Sequence, residues 1–183
     1  MTGQEQTPAD GPEGALWAFA LAVYGRRGVA EACLCLQDRC GADVPLMLAV
    51  LFAAGRGMAP DRGRMERLDT LCRDWRSEVV MPLRKARRWI KGRDWMETHA
   101  AVPALRDGIK ALELEAERIE LMALEAEVAS WGEPARAPAT TDYRNVLAEF
   151  LRFCEAGSGS DAEGADVEKA VATIVEAVRK ETL

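Results

Sequence analysis

The chain has 183 residues and a net charge of -6, with 30 acidic side chains against 24 basic ones. It is long enough for one domain to bury roughly 70% of its unfolded surface without disulfide or metal staples, and its charge sign argues against nucleic-acid binding through phosphate contacts. Five cysteines, a polar and acidic start from Met1 to Gly14 and no apolar run near the ~20 residues that cross a bilayer point to a reduced, cytoplasmic protein with no transmembrane segment.

In chain order, residues 1–13 are rich in Gly, Pro, Gln and acid, the composition of a disordered start. A first helix is predicted from Gly14 to Arg27, stopped by Gly28, and a second runs to Cys40 with Val29, Ala32, Cys33, Leu36 and Cys40 as its inward stripe. Asp43 is placed to cap a third helix, Val44 to Ala54, with Pro45 tolerated in its first turn. That helix is apolar nearly all round and so belongs in mid-core. After a loop from Gly55 to Gly63, Met65, Leu68, Cys72, Trp75, Val79, Leu83, Ala86 and Ile90 keep helical spacing. Pro82 interrupts them and predicts a kink or break near Val80 to Pro82.

The next helix, Pro103 to Trp131, carries Leu105, Ile109, Leu112, Ala116 and Ile119 on one side, with Leu114, Leu121, Leu124 and Val128 widening the stripe. A shorter helix follows from Thr141 to Glu155. Residues 156–164 have the composition of a flexible linker, and 165–183 form an amphipathic helix through Val167, Val171, Ile174, Val175 and Val178. No period-2 strand pattern occurs. The expectation is an all-α, compact multi-helix bundle at 14–155 with a flexibly linked C-terminal helix.

Two features invite a function. Six cations fall between Arg84 and Arg93, next to Trp89. They suit a phosphate surface, a membrane interface or an acidic protein partner, or they are balanced inside the molecule. The last reading has a counterweight: residues 56–93 hold twelve bases against five acids, and from Asp94 onward nineteen acids face nine bases. The leading expectation is a non-enzymatic adaptor or regulatory protein that presents a kinked basic helix to a protein partner through Arg76, Arg84, Arg87, Arg88 and Trp89. Peripheral membrane contact stays open, as does the oligomeric state. The alternative is a small-ligand-binding protein or enzyme with a pocket between helices, built on Trp17, Tyr24 and Trp75 and ringed by Arg26, Arg76 and Arg84, that takes an acyl or anionic ligand.

Metal and catalytic readings find less support. Glu113, Glu117 and Glu120 share a helix face, but helical di-metal sites pair Glu-x-x-His motifs, and the one histidine, His99, has no glutamate three residues before it. Cys33 and Cys35 point about 200° apart on a helix, so they cannot share a metal. No phosphate loop, dinucleotide fingerprint or Ser-His-Asp grouping is present. We therefore expect no metal, no cofactor and no catalytic residues.

Three runs carry a resemblance: W-x-F-x-L-x-x-Y from Trp17 to Tyr24, G-V-x-x-A-C-L-x-L-Q-D from Gly28 to Asp38, and P-L-R-x-x-R-R from Pro82 to Arg88. They resemble a family of short, all-helical bacterial proteins without an assigned activity. The resemblance is good from Leu16 to Lys91 and weaker through Glu113 to Arg118. It implies a helical fold and no catalytic residues. The family often has Asn at the position of Pro45 and Trp near Phe52 or Ala53, and it is shorter, so residues from Gly157 onward look like an extension.

Overall fold

The computed structural model describes residues 14–91, 99–132, 141–158 and 164–182. Among them the regular structure is helical throughout, as expected of an all-α bundle: α1 (Ala15–Tyr24), α2 (Val29–Cys40), α3 (Val44–Gly55), α4 (Arg62–Trp75), a π-helical turn (Arg76–Val80), α5 (Met81–Ile90), α6 (Val102–Ala129), α7 (Tyr143–Ser158) and α8 (Ala165–Glu181). The predicted disordered start and residues 159–163 of the predicted linker lie outside the described residues.

α3 is the centre. Its residues from Pro45 to Ala54 are all buried, and α1, α4, α6 and α7 pack around it. Its start is set as the sequence suggests. Asp43 Oδ1 accepts the Leu46 N–H at 2.8 Å, supplying one of the partners that a helix N-terminus lacks. Asp61 caps α4 in the same way, accepting from Arg64 N at 2.9 Å. α1 has no local cap. Glu125, from α6, accepts from Ala15 N and Leu16 N at 2.9 and 3.1 Å. Gly14 makes room for that carboxylate: it has φ +83, and a Cβ there would lie 2.5 Å from Glu125 Oε2.

The last helix is part of the core. Val167, Ala170, Val171, Ile174, Val175, Ala177 and Val178 are buried, and α8 packs on α2, α7 and α1. Linker composition reports how freely a connection moves, whereas the apolar stripe beyond it decides where the helix comes to rest.

Two local expectations resolve in unexpected ways. The Pro82 kink becomes a π-helical turn, in which the Met81 N–H donates to Arg76 O, five residues back. The helix thus passes the proline by taking in an extra residue rather than by breaking. On α6, the line Leu105, Leu112 and Ile119 assigned to the core faces solvent, 58%, 60% and 42% exposed. The inward stripe is Glu113, Ala116, Glu120, Leu121, Leu124 and Val128, because this amphipathic helix turns two of its carboxylates inward.

If α8 shares the core, removing a buried methyl cluster from it will cost as much as removing one from α2. Ile174 and Leu36 are both fully buried. Ile174→Ala and Leu36→Ala should each lower unfolding stability by about 2–5 kcal/mol in one cooperative urea transition. An Ile174→Ala chain as stable as the parent, or one with a separate early transition, would contradict this packing.

Candidate functional site

Two adjoining features of the bundle bear on function: a set of part-buried ion pairs between the α4–α5 rod and α6, and a cavity beside it.

Arg76 opens the π-helical turn and sits among three carboxylates. Its Nη1 donates to Asp69 Oδ1 at 2.8 Å. Its Nε lies 2.8 Å from Asp43 Oδ2 and 3.5 Å from Glu120 Oε1. Asp43 thus serves twice, capping α3 with one oxygen and meeting Arg76 with the other. Farther along, Arg84 donates from Nε to Glu113 Oε1 at 2.9 Å and from Nη2 to Glu117 Oε1 at 2.5 Å. Arg87 grips both oxygens of Glu113 through Nε and Nη2. Trp75 ties the end of α4 to the same helix, its Nε1–H donating to Ala116 O at 3.0 Å.

Burial and pairing pull these groups apart electrostatically. Burial raises the Glu113 pKa, but hydrogen bonds from Arg87 and Arg84 outweigh it and leave it below the ordinary value. Burial likewise lifts Asp69, and its bonds to Arg76 and Arg73 bring it below the usual carboxylate range. For Glu120 the compensation from Arg76, 3.5 Å away, is too weak to outweigh burial. Its two oxygens are buried without a hydrogen bond among the described residues, and burial, then the Asp43 charge, pushes its pKa up to about 8. At neutral pH it therefore mostly holds its proton. Burial also raises Asp43 and Glu117, against the pull of Arg76 and Arg84 respectively.

The cavity, of about 270 Å³, lies between α1, α2, α3, α5 and α6. Trp17, Cys33, Leu48 and Leu121 are among its buried walls, and Leu21, Tyr24, Leu34 and Leu114, all 42–49% exposed, reach its surface from three helices. Four cations line it, Arg84, Arg87, Arg88 and Lys110, against two carboxylates, Glu113 and Glu117. Arg84 and Arg87 are committed to those glutamates, whereas Arg88 and Lys110 form no ion pair among the described residues. A larger concavity of about 590 Å³ touches Asp43, Asp69, Arg73 and Arg76. Its charges are already matched, Arg62 with Glu66, Arg73 with Asp69 and Arg76 with Asp43.

The residues singled out in the sequence separate accordingly. Arg76, Arg84 and Arg87 were expected to be free for a partner. They are instead engaged by carboxylates of the same chain, with side chains only 18%, 16% and 24% exposed. Arg88 and Trp89 do lie on exposed surface. Trp17, Tyr24 and Arg84 meet at the cavity. Trp75 is not among its lining residues, and Arg26 is paired with Glu181 on α8. The sequence reading missed Leu34, Lys110 and Leu114 as cavity residues and Glu125 as a cap. No group of three or more His, Cys, Asp or Glu among the described residues could hold a metal ion. Burial raises the thiols of Cys33, Cys72 and Cys154 to about 12, which leaves them inert as thiolates.

Glu120 gives this arrangement a pH signature. Its folded pKa lies above its unfolded one, so its contribution to stability is complete below about pH 4.5 and is lost as pH rises through about 8. Glu113 and Asp69 have lowered values and finish titrating in the acid range, whereas burial also raises Asp43 and Glu117, so Glu120 leads a loss that runs from about pH 4.5 to about 8. Stability should fall by a few kcal/mol across that window, and Glu120→Gln should flatten the slope. Urea midpoints against pH check this; equal slopes in both proteins would contradict a neutral, buried Glu120.

No helix among the described residues is long and apolar enough to cross a membrane. No curated protein and no solved structure matches the chain. The model of one family, described as a protein of unknown function (DUF2390), matches residues 15–124. That stretch contains every residue of the cavity lining. The chain belongs to this DUF2390 family of proteins of unknown function.

Proposed function

We propose that this protein binds a small amphiphilic anion, with the apolar part in the cavity beside α1 and the charge at its mouth against Arg88 and Lys110. The observation that carries the reading is the charge excess: four cations line the cavity and only two carboxylates answer them. Walls of Trp17, Leu48 and Leu121 favour a hydrocarbon or aromatic body, since apolar area removed from water contributes roughly 25 cal/mol per Å². The volume is near the bottom of the range for small-molecule sites and equals about nine water volumes, which suits a short chain or a single ring. The reading is of binding rather than catalysis, because the cavity's carboxylates are held by arginines and its Cys33 thiol is protonated.

A protein-docking role for α5 draws on Trp89, 55% exposed, and on exposed Arg88. It is the weaker reading, because three of the five residues it relies on are engaged inside the chain.

Octanoate, octanol and octylamine separate charge from hydrophobicity. At saturating octanoate, around 100 times Kd, stability should rise by about 2.7 kcal/mol, seen as a Tm increase of several degrees. Octanol should give much less and octylamine nothing. The double variant Arg88→Glu/Lys110→Glu should lose the octanoate effect while keeping its helical circular dichroism. Equal shifts from octanoate and octylamine, or an undiminished shift in the double variant, would sink the proposal.

A further inference from the structure

Of the two carboxylates at the cavity beside α1, one is held far less firmly than the other. Glu113 receives N–H groups from Arg84 and from both Nε and Nη2 of Arg87. Glu117, one turn later on α6, receives a single bond, from Arg84 Nη2 to its Oε1 at 2.5 Å. Its Oε2 has no hydrogen bond among the described residues. The side chain is 22% exposed and forms part of the cavity wall.

The surroundings of Glu117 decide which way its charge moves. α5 brings Arg84 and Arg87 to it, α1 brings Tyr24, α2 brings Cys33 across the cavity, and Asp43 stands at the start of α3. Glu113 and Glu120 flank it on its own helix, and Arg88 and Lys110 complete the charges of the cavity. Burial raises the Glu117 carboxyl, Arg84 lowers it and the Glu113 charge raises it again, which leaves it above the ordinary carboxylate value. Its neighbours are fixed in one state. Glu113 is ionised, Tyr24 is raised, by burial first, and burial pushes the Cys33 thiol up to about 12. Glu120 does not line the cavity.

A ligand anion changes this balance. A sphere of 270 Å³ is about 8 Å across, no more than the Debye length at physiological salt. A negative head in the cavity is therefore poorly screened from Glu117, and like charges that close disfavour each other's ionised forms. A proton on Oε2 removes the repulsion and leaves Oε1 with Arg84. It also turns the carboxyl into an O–H donor, and a bond from such a donor to a carboxylate oxygen is short and strong.

We infer that the cavity takes a carboxylate ligand together with one proton, which Glu117 binds at Oε2; this rests on the amphiphilic-anion reading and narrows its head group to a carboxylate. The proton comes from solvent, and no other bond is made or broken. Linkage is reciprocal: the factor by which the anion favours the proton on Glu117 is the factor by which that proton favours the anion. Acid thus loads the site and alkali empties it.

Isothermal titration calorimetry of the full chain with octanoate, in phosphate and in imidazole at about pH 7, counts the protons, because the two buffers differ in ionisation enthalpy. The parent should take up about half a proton or more per octanoate, and Kd should rise about threefold or more per pH unit between pH 6 and 8. Glu117→Gln should bind octanoate with no proton uptake and a Kd indifferent to pH. Glu120→Gln, altered behind the cavity wall, should keep the uptake of the parent. Octanoate bound by the parent without proton uptake overturns the inference and leaves the ligand reading standing. An uptake that survives in Glu117→Gln, or that disappears in Glu120→Gln, overturns it as well. Octanoate that does not bind at all overturns both.

Discussion

Carboxylates on the inner face of α6 force the arginines of the neighbouring rod to come in with them. Glu113 and Glu120 are 5% and 1% exposed. A buried carboxylate left alone costs several kcal/mol, and two remedies exist: a cation brought alongside, or a retained proton. Glu113 takes the first remedy through Arg84 and Arg87. Glu120, with Arg76 already shared by Asp43 and Asp69, takes the second. Such pairs add little net stability over apolar packing, but losing one partner is costly, and so they fix which residues face each other. That role matters most for α5, which has no buried residue at all yet packs extensively on α6. Its position is set by ion pairs and by half-buried Leu83 and Ile90.

The π-helical turn belongs to the same logic. Taking in one extra residue rotates α5 by roughly a hundred degrees relative to α4. With that shift Arg76 reaches the Asp43 cap while Arg84 and Arg87 reach Glu113. The cavity's remaining cations, Arg88 and Lys110, stand beside apolar walls that include Trp17, Leu48 and Leu121. The proposed ligand site and the internal ion pairs are thus linked, because the charges neutralised inside decide which ones remain at the surface.

Much of this was legible in the sequence, where local chemistry decides. Asp43 followed by Pro45 reads as a capped helix start, and the unbroken apolar run from Leu46 to Phe52 reads as a central helix; both are found. The two-sided charge imbalance also signalled that basic and acidic segments face each other. What could not be read is which arginines are paired internally, because that depends on how α6 is turned about its axis. The heptad line Leu105, Leu112, Ile119 is the more regular stripe and reads as the core face, yet it faces outward. The signal pointing the other way was present: Glu113 and Glu120 fall in line with Ala116, Leu124 and Val128, and carboxylates on an apolar stripe ask for buried partners. Glu125 as a cap for a helix some 110 residues earlier has no local signature. Lys110 and Leu114 join the cavity only because α6 passes beside α1.

The central claim is that the ion pairs between α5 and α6 hold the two helices together in the interior rather than decorating the surface. A double-mutant cycle on Arg84→Ala and Glu113→Ala, read by urea unfolding, tests it most directly. Each single change should cost about 3 kcal/mol or more, and the coupling energy should exceed about 1 kcal/mol. A coupling energy near zero, with single changes of only a few tenths of a kcal/mol as for solvent-exposed pairs, would contradict it.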